Sequence, residues 1–444
     1  MGAGYRVLGV AAAVCIATGS PAFAQTDPAC LGFAEAMRLS ALRAPEVAAA
    51  EARLDEAEAE RREVRALRRP QVSTFGRTAS GDNGLTSNRL ENQVGLQVSQ
   101  RLFDFGDARL AETAAENTVD QRGHEIASQR TDAAYTLAQA YLTRLETLAV
   151  LEVIAERRDY FARQRDAVTD LLSRGGATRA DRAQIEAQLA GAQADAMDLH
   201  FGAERAATRI REYTGRPADT LCAGEAVAAD LDAALAGLDT LDAAVGDALA
   251  DNPQVSARLS AIRSLEARLD RERRSRLPVI EAVGIVSYVY DDQREDWEGR
   301  DRIGVDVSVP LYAGNALGAR RDRAAARLAL EESGLRAVQR ELRERAEIAF
   351  RRAISLEAQL VRREAVARSQ AEYFDAIAGE FEYGLGTLPD LVDARLDFEQ
   401  AQVDVISARY ELLRQKLELL RLTGRMPGVD GRLGRESAPG MEGE

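Results

Sequence analysis

Asp390 and Asp393 are the carboxylates whose spacing most invites a chemical role. Three residues apart on a helix they share a face, and they follow directly on the turn Tyr383-Gly384-Leu385-Gly386-Thr387. Two roles fit that position. An acidic side chain in a helix's first turn interacts favourably with the helix dipole, and a carboxylate pair can attract cations. The only histidines, His124 and His200, have no Cys, His or paired carboxylate at ligand spacing, and they read as surface or seam residues. Cys30 and Cys222 match no zinc or redox motif. In an oxidising compartment they are a candidate disulfide, with two buried thiols as the alternative. No phosphate-cradling Gly-rich loop and no nucleophile elbow is present. Catalysis, a metal centre and a cofactor therefore have no residues to carry them, and the chain reads as a non-enzyme.

The elements that position these residues are unusual. The chain has 444 residues, 46% hydrophobic and 29% charged, yet only 5% aromatic, with a formal net charge of -14. Ala, Leu, Arg and Glu dominate, which reads as long helices with thin apolar seams. Positive charge is everywhere interleaved with Asp and Glu, against a nucleic-acid partner. Residues 1–24 read as a secretory leader: Arg6, the apolar run Val7 to Ile16, then Ser20-Pro21-Ala22-Phe23-Ala24 with cleavage after Ala24. Cys15 leaves with it, and neither Cys15 nor Cys30 sits in a lipid-attachment pattern. Beyond the leader no window reaches the roughly 18 apolar residues of a spanning helix. A membrane crossing would have to be a β-barrel.

An internal duplication organises the rest. Ala44-Pro45 and Arg69-Pro70 recur as Asn252-Pro253 and Leu277-Pro278; Gly95 and Leu102 recur as Gly304 and Leu311; Thr178 and Asp181 as Thr387 and Asp390; Thr214-Gly215-Arg216 as Thr423-Gly424-Arg425. The offset stays near 209 residues, about the size of one repeat unit. The expected organisation is a first repeat over 25–222, a linker over 223–242, a second repeat over 243–425 and a disordered Gly-rich tail over 426–444. Each repeat opens with a helix that a proline ends. Two segments of strand character follow, about Gln71 to Ser80 and Asn92 to Phe103 in the first repeat, Val279 to Tyr290 and Arg302 to Tyr312 in the second, the latter pair separated by an acidic loop. Ile303, Val305, Val307 and Val309 alternate with polar or small residues, the pattern of a strand with one apolar face. That face could pack on a soluble core or face lipid. Then come helices over roughly Asp107 to Leu172 and Leu317 to Phe381, each on the order of 100 Å long, a Gly-bearing turn, and a returning helix. Val403, Ile406, Tyr410, Leu413, Leu417 and Leu420 form a coiled-coil seam on the second returning helix. The matching positions of the first repeat begin Ala194, Met197 and Phe201 but continue Glu204, Thr208 and Arg211, so the two hairpins are not interchangeable.

These features resemble the TolC-type outer-membrane efflux proteins over essentially the whole mature chain. The resemblance rests on the duplication, the strand pair between helices, Val309-Pro310-Leu311-Tyr312-Ala313-Gly314, and Tyr383-Gly384-Leu385-Gly386-Thr387 followed by Asp390-Leu391-Val392-Asp393-Ala394. It implies a mainly α fold with a small β part. Long helical hairpins would form a trimeric α-barrel tunnel, and four strands per chain would join a shared twelve-stranded barrel in the outer membrane. It implies a homotrimer serving as a passive duct for efflux or type I secretion, in contact with outer-membrane lipid. An inner-membrane transporter, either a proton-driven pump or an ATP-binding exporter, would drive export through a periplasmic adaptor. The turn residues Gly175, Gly176, Thr178, Gly384, Gly386 and Thr387 would meet that adaptor. Asp390 and Asp393 would ring the tunnel entrance, and Asp181 and Tyr383 would belong to a network closing it, although Leu388 stands where an arginine is usual. The competing expectation, a periplasmic adaptor or structural coiled-coil protein, would show one hairpin flanked by Gly-rich β segments.

Overall fold

A computed structural model describes residues 30–81, 89–218, 221–291 and 296–429. The expected leader, the tail beyond 429 and the tips of both strand-pair loops lie outside the described residues. Within them the order is α1 (Phe33–Arg43), α2 (Pro45–Ala66), β1 (Gln71–Gly81), β2 (Arg89–Phe103), α3 (Asp107–Ser173), α4 (Arg179–Thr214), α5 (Gly224–Ala234), α6 (Leu241–Ala250), α7 (Pro253–Arg274), β3 (Val279–Asp291), β4 (Asp296–Ser308), α8 (Ala316–Glu382) and α9 (Leu388–Leu422).

The repeated prolines have a local cause. Pro45 and Pro253 occupy the first turn of α2 and α7, where the missing N–H costs no hydrogen bond and the fixed φ suits the helix. Asn252 also caps α7, accepting from the Gln254 N–H at 2.9 Å, and its amide donates to the Leu422 carbonyl at 2.9 Å. That contact ties the start of the second repeat to its end.

The four strands form one antiparallel sheet in the order β1-β2-β3-β4, so the two copies' hairpins pair side by side through β2 and β3. β4 corrects the expected boundaries. It begins at Asp296, inside the acidic stretch read as a loop, because pairing with β3 continues to Asp291↔Asp296. It stops at Ser308, before Pro310, whose nitrogen cannot donate to a ladder.

α3 and α8 are 67 residues each, about 100 Å at 1.5 Å per residue. No single compact core covers helices of that length. Burial instead falls into clusters along them, dominated by Ala and Leu. The largest gathers Phe33, Met37, Tyr141, Ile210, Leu231 and Leu417 at mid-length. Another lies beside the turns, with Phe161, Ile185, Leu189, Leu388 and Leu391.

In cross-section the lower helices pack in the row α4, α3, α9, α8. α9 is interior to that row and buries two stripes: Ala394, Ala401, Ala408, Leu412 and Leu419, and Tyr410, Leu413, Leu417 and Leu420 of the expected seam, whose first members Val403 and Ile406 are half-buried. α4 stands at the edge and buries only Ile185, Leu189, Ala192, Ala203, Ala206, Ala207 and Ile210 as its apolar stripe. Met197 and Phe201, at positions equivalent to the second stripe of α9, are exposed. The duplicated seam thus has a partner within the chain in one copy and none in the other.

Candidate functional site

The sheet is inside out for a water-soluble protein. The register places Val72 opposite Val98, Leu96 opposite Val286, Val94 opposite Tyr288, Ala282 opposite Val305 and Ile280 opposite Val307. These residues share one face, and that face is open: Ile303 is 94% exposed, Val305 61% and Val307 60%. The other face carries Gln93, Gln97, Arg101, Glu281, Ser287, Arg302 and Asp306, with the apolar residues Val283, Ile285 and Val289 among them. It is the more buried of the two, with Ser287 only 2% exposed. Its polar groups pair with one another: the Gln93 side-chain amide donates to Ser287 Oγ at 3.0 Å, Ser287 Oγ donates to the Arg300 carbonyl at 3.0 Å, and Arg101 lies 3.6 Å from Glu281. Leaving a Val or Ile side chain in water forgoes roughly 1.5–3 kcal/mol. A row of them is stable only against an apolar medium.

Aromatic side chains bracket this apolar band. Tyr290 and Trp297 meet at 5.5 Å near the loop end, and Phe103 and Phe105 at 4.7 Å near the helix end, where Tyr312 is also exposed. About ten tilted strand residues separate the two groups, on the order of the 25 Å apolar height of outer-membrane barrels. Among the described residues no helix is long and apolar enough to cross a membrane.

At the far end of the long helices both turns are built alike. Gly175 and Gly384 have φ of 81° and 74°, a conformation that a Cβ disfavours. In each turn the glycine N–H and the next N–H reach back to the helix's last carbonyls: Gly175 to Leu172 at 3.1 Å and Gly176 to Leu171 at 2.8 Å, then Gly384 to Phe381 at 3.0 Å and Leu385 to Glu380 at 2.9 Å. Both helices therefore end in a Schellman motif. Thr178 and Thr387 then cap the returning helices. Gly386 is needed for closeness, since a Cβ there would stand 3.2 Å from the Phe381 nitrogen. A bulky residue at Gly386 would deform the turn itself.

The expected acidic site residues have local duties. Asp181 accepts from the Thr178 N–H at 2.8 Å and Thr178 Oγ1 accepts from the Asp181 N–H at 3.1 Å, a reciprocal capping box. Thr387 Oγ1 donates to Asp390 at 2.5 Å. Asp393 is exposed one turn further on, beside Asp390. Within one chain no hydrogen bond joins Tyr383 to Asp181, and Tyr383 is exposed at the tip. Leu388 is buried against the turn cluster, so a long charged side chain would be out of place there in this chain.

Sequence reasoning missed a buried charged node two turns inside α9. The Arg395 guanidinium lies 5.2 Å from the Tyr160 ring, 5.5 Å from Phe374 and 5.6 Å from Phe398, an aromatic cage that favours a cation. Arg157 bridges buried Glu399, at 3.0 Å, and Asp195. Burial raises the Glu399 carboxyl above its ordinary range, outweighing the opposing pull of Arg157 and Arg395. A raised folded-state pKa means that this group's contribution is fully present below the unfolded pKa and is lost as pH rises through the folded one. Glu399→Gln removes that loss. Its melting temperature relative to the native chain is expected to rise as pH increases above 4.5, the ordinary value of the carboxyl; a difference independent of pH would show that Glu399 does not titrate in the fold.

An apolar-faced sheet mounted on a double hairpin of 100 Å helices defines a membrane-inserted duct protein rather than an adaptor with a single hairpin. The chain belongs to the outer membrane efflux protein family, whose model matches residues 37–216 and 244–425. It is an outer-membrane protein. It is similar to outer membrane efflux protein BepC of Brucella suis biovar 1 (strain 1330), with 25% identity over 364 residues, 81% of this chain and 77% of the relative. Among solved structures the fold matches the outer membrane protein VceC of Vibrio cholerae with a TM-score of 0.74 at 15% identity, covering 88% of this chain and 96% of VceC. It matches the open state of the MtrE outer membrane channel of Neisseria gonorrhoeae with a TM-score of 0.73 at 17% identity, covering 89% of each chain.

Proposed function

We propose that the protein is the passive exit duct of a tripartite efflux or type I secretion system, working as a homotrimer. The exposed apolar face of the sheet carries this reading, because among the described residues it is the surface that calls for a lipid environment. Four strands cannot close a barrel alone, and eight would leave an interior just filled by side chains. Twelve strands from three chains enclose a channel. The free edges of the helix row support ring closure. α4 presents Met197 and Phe201 on one edge, and α8 presents Ile348, Val361, Val366 and Tyr373 on the other. In a head-to-tail ring, the α4 of one copy meets the α8 of the next as α9 meets α3 within the chain. Energy comes from an inner-membrane transporter, a proton-driven pump or an ATP-binding exporter. A periplasmic adaptor meets the exposed turn residues. Deletion should sensitise cells to compounds exported by this route, and fractionation should place a trimer in the outer membrane. Recovery of a soluble periplasmic monomer would overturn the proposal.

In such a trimer Asp390 and Asp393 place six carboxylates at the narrow end, which favours cations. Thr387 remains the cap, and an asparagine amide oxygen at 390 can still accept from Thr387 Oγ1, so Asp390→Asn with Asp393→Asn removes charge while keeping the turn. The double variant is expected to lose most of the channel's cation preference, read as a shift of reversal potential in planar bilayers toward zero. An unchanged reversal potential would remove these residues from the entrance.

A further inference from the structure

A cleft of about 300 Å³ lies near the sheet-proximal ends of α2, α3, α7 and α8, within the size range of small-molecule sites. Its floor is apolar: Ala111, Ala114 and Ala115 of α3, with Val64 and Leu265 beside them. Its walls hold five arginines, Arg268, Arg271, Arg320, Arg323 and Arg327, against two carboxylates, Glu60 and Glu272. Arg271 is engaged by Asp107 at 2.8 Å, and Arg268 reaches Thr118 at 3.5 Å. Arg320, Arg323 and Arg327 have no carboxylate within ion-pairing distance among the described residues.

The chain is acidic overall. Some of its arginines bridge to Asp or Glu, as Arg65 does to Glu112 or Arg258 to Glu331; here three unpaired guanidinium groups line one cleft together with Arg268 and Arg271. Arg320, Arg323 and Arg327 follow i, i+3, i+7 spacing, so they lie along one face of α8, where like charges repel. Glu60 and Glu272 offset the five arginine charges of the cleft only in part. An anion in the cleft would offset the rest, and guanidinium groups bind carboxylate, sulfonate or phosphate oxygens through paired N–H donors.

The position of the cleft has a further consequence. The four helices pack in the row α2, α3, α7, α8, and a groove touched by all four lies on the concave side of that row. When such a row closes into a ring, its concave side faces inward. We propose that this cleft is a binding site for amphiphilic anions on the inner wall of the upper tunnel, its arginines holding the acidic groups and its alanine floor the apolar body. The role as a station on the export path rests on the duct reading; the binding does not.

The test uses the purified full-length protein in a neutral detergent, titrated with a pyrene trisulfonate dye and followed by fluorescence anisotropy. Saturable binding is expected, weakening as salt rises. The triple variant Arg320→Gln, Arg323→Gln, Arg327→Gln should bind at least about tenfold more weakly. The control triple variant Arg336→Gln, Arg340→Gln, Arg343→Gln removes the same charge from another face of α8 and should bind within about twofold of the native chain. No saturable binding to the native protein, or an equal loss in both triple variants, overturns the site. Neither result touches the duct, which stands or falls on trimer assembly and export.

Discussion

Ile303→Arg combined with Val305→Asp should abolish assembly in the outer membrane while leaving the helical hairpins able to fold. Ile303 and Val305 lie on one face of β4, the edge strand of the sheet, and both are exposed within the chain. A water-soluble protein tolerates charge at such positions, since surface substitutions are usually worth within about 0.5 kcal/mol. In lipid the sign reverses. An arginine near the bilayer midplane costs about 2–4 kcal/mol, with a smaller cost for aspartate, and a trimer bears each substitution three times. The measurement is the trimer recovered in the membrane fraction on native gels. Asp306→Asn, on the opposite and polar face of the same strand, is the control and should assemble normally. Normal assembly of the charged double variant would mean that the apolar face never meets lipid.

This reversal bears on what could be read from the sequence. The alternation Ile303, Val305, Val307 is legible and correctly marks two unlike faces, but period two is the same whether the apolar face packs on a core or faces lipid. Register settles it, because only the pairing of β2 with β3, between distant copies, shows that Gln93 and Ser287 meet across the shielded face while Leu96 and Val286 stand open. The long helices were legible almost to the residue because proline, Gly-bearing turns and Thr caps punctuate them. The start of β4 was not. Asp296, Glu298 and Arg300 look like a loop by composition, and only the ladder to β3 makes them strand.

The site shows the same division between local and non-local information. Thr178 with Asp181 and Thr387 with Asp390 could be read as capping residues from their spacing alone, and the geometry assigns them that duty. Arg395 and Glu399 could not be found that way. They continue the seam at spacings of three and four from Leu388 and Leu391, where apolar residues are the rule. The rings that cage Arg395 come from α3, α8 and α9, so the cage exists only once three helices have packed. Sequence shows that the stripe of the second repeat starts in the first as Ala194, Met197 and Phe201 and lapses at Glu204, Thr208 and Arg211, so that the two hairpins are not interchangeable. The packing order adds the reason: α9 is interior and α4 an edge, where Met197 and Phe201 stand exposed.

Joint replacement of Cys30 and Cys222 by alanine should lower the stability of the first repeat by roughly 2–5 kcal/mol. The two sulfurs are bonded, with Cα atoms 5.0 Å apart and a sequence separation of 192. The closed loop contains α1, α2, the first strand pair and the whole α3–α4 hairpin. In the chain-entropy view such a long loop gives the bridge a stabilisation near the upper end of the usual range, about 5 kcal/mol, by restricting the unfolded chain. Neighbouring contacts recover part of this when the bridge is lost. Leu31 and Leu221 form a parallel bridge, the Cys222 N–H donates to the Leu31 carbonyl at 3.2 Å, and the buried Tyr141 hydroxyl donates to Leu31 at 2.7 Å. The cost should therefore fall below the full entropic figure. Cys30→Ala alone, Cys222→Ala alone and the double variant should be nearly equally destabilised, because either single change already opens the loop and the two effects cannot add. Thermal unfolding of the purified variants followed by circular dichroism provides the comparison. Additive losses would mean that each cysteine contributes by packing at its own site, and no loss at all would mean that the contacts around Tyr141 hold the junction unaided.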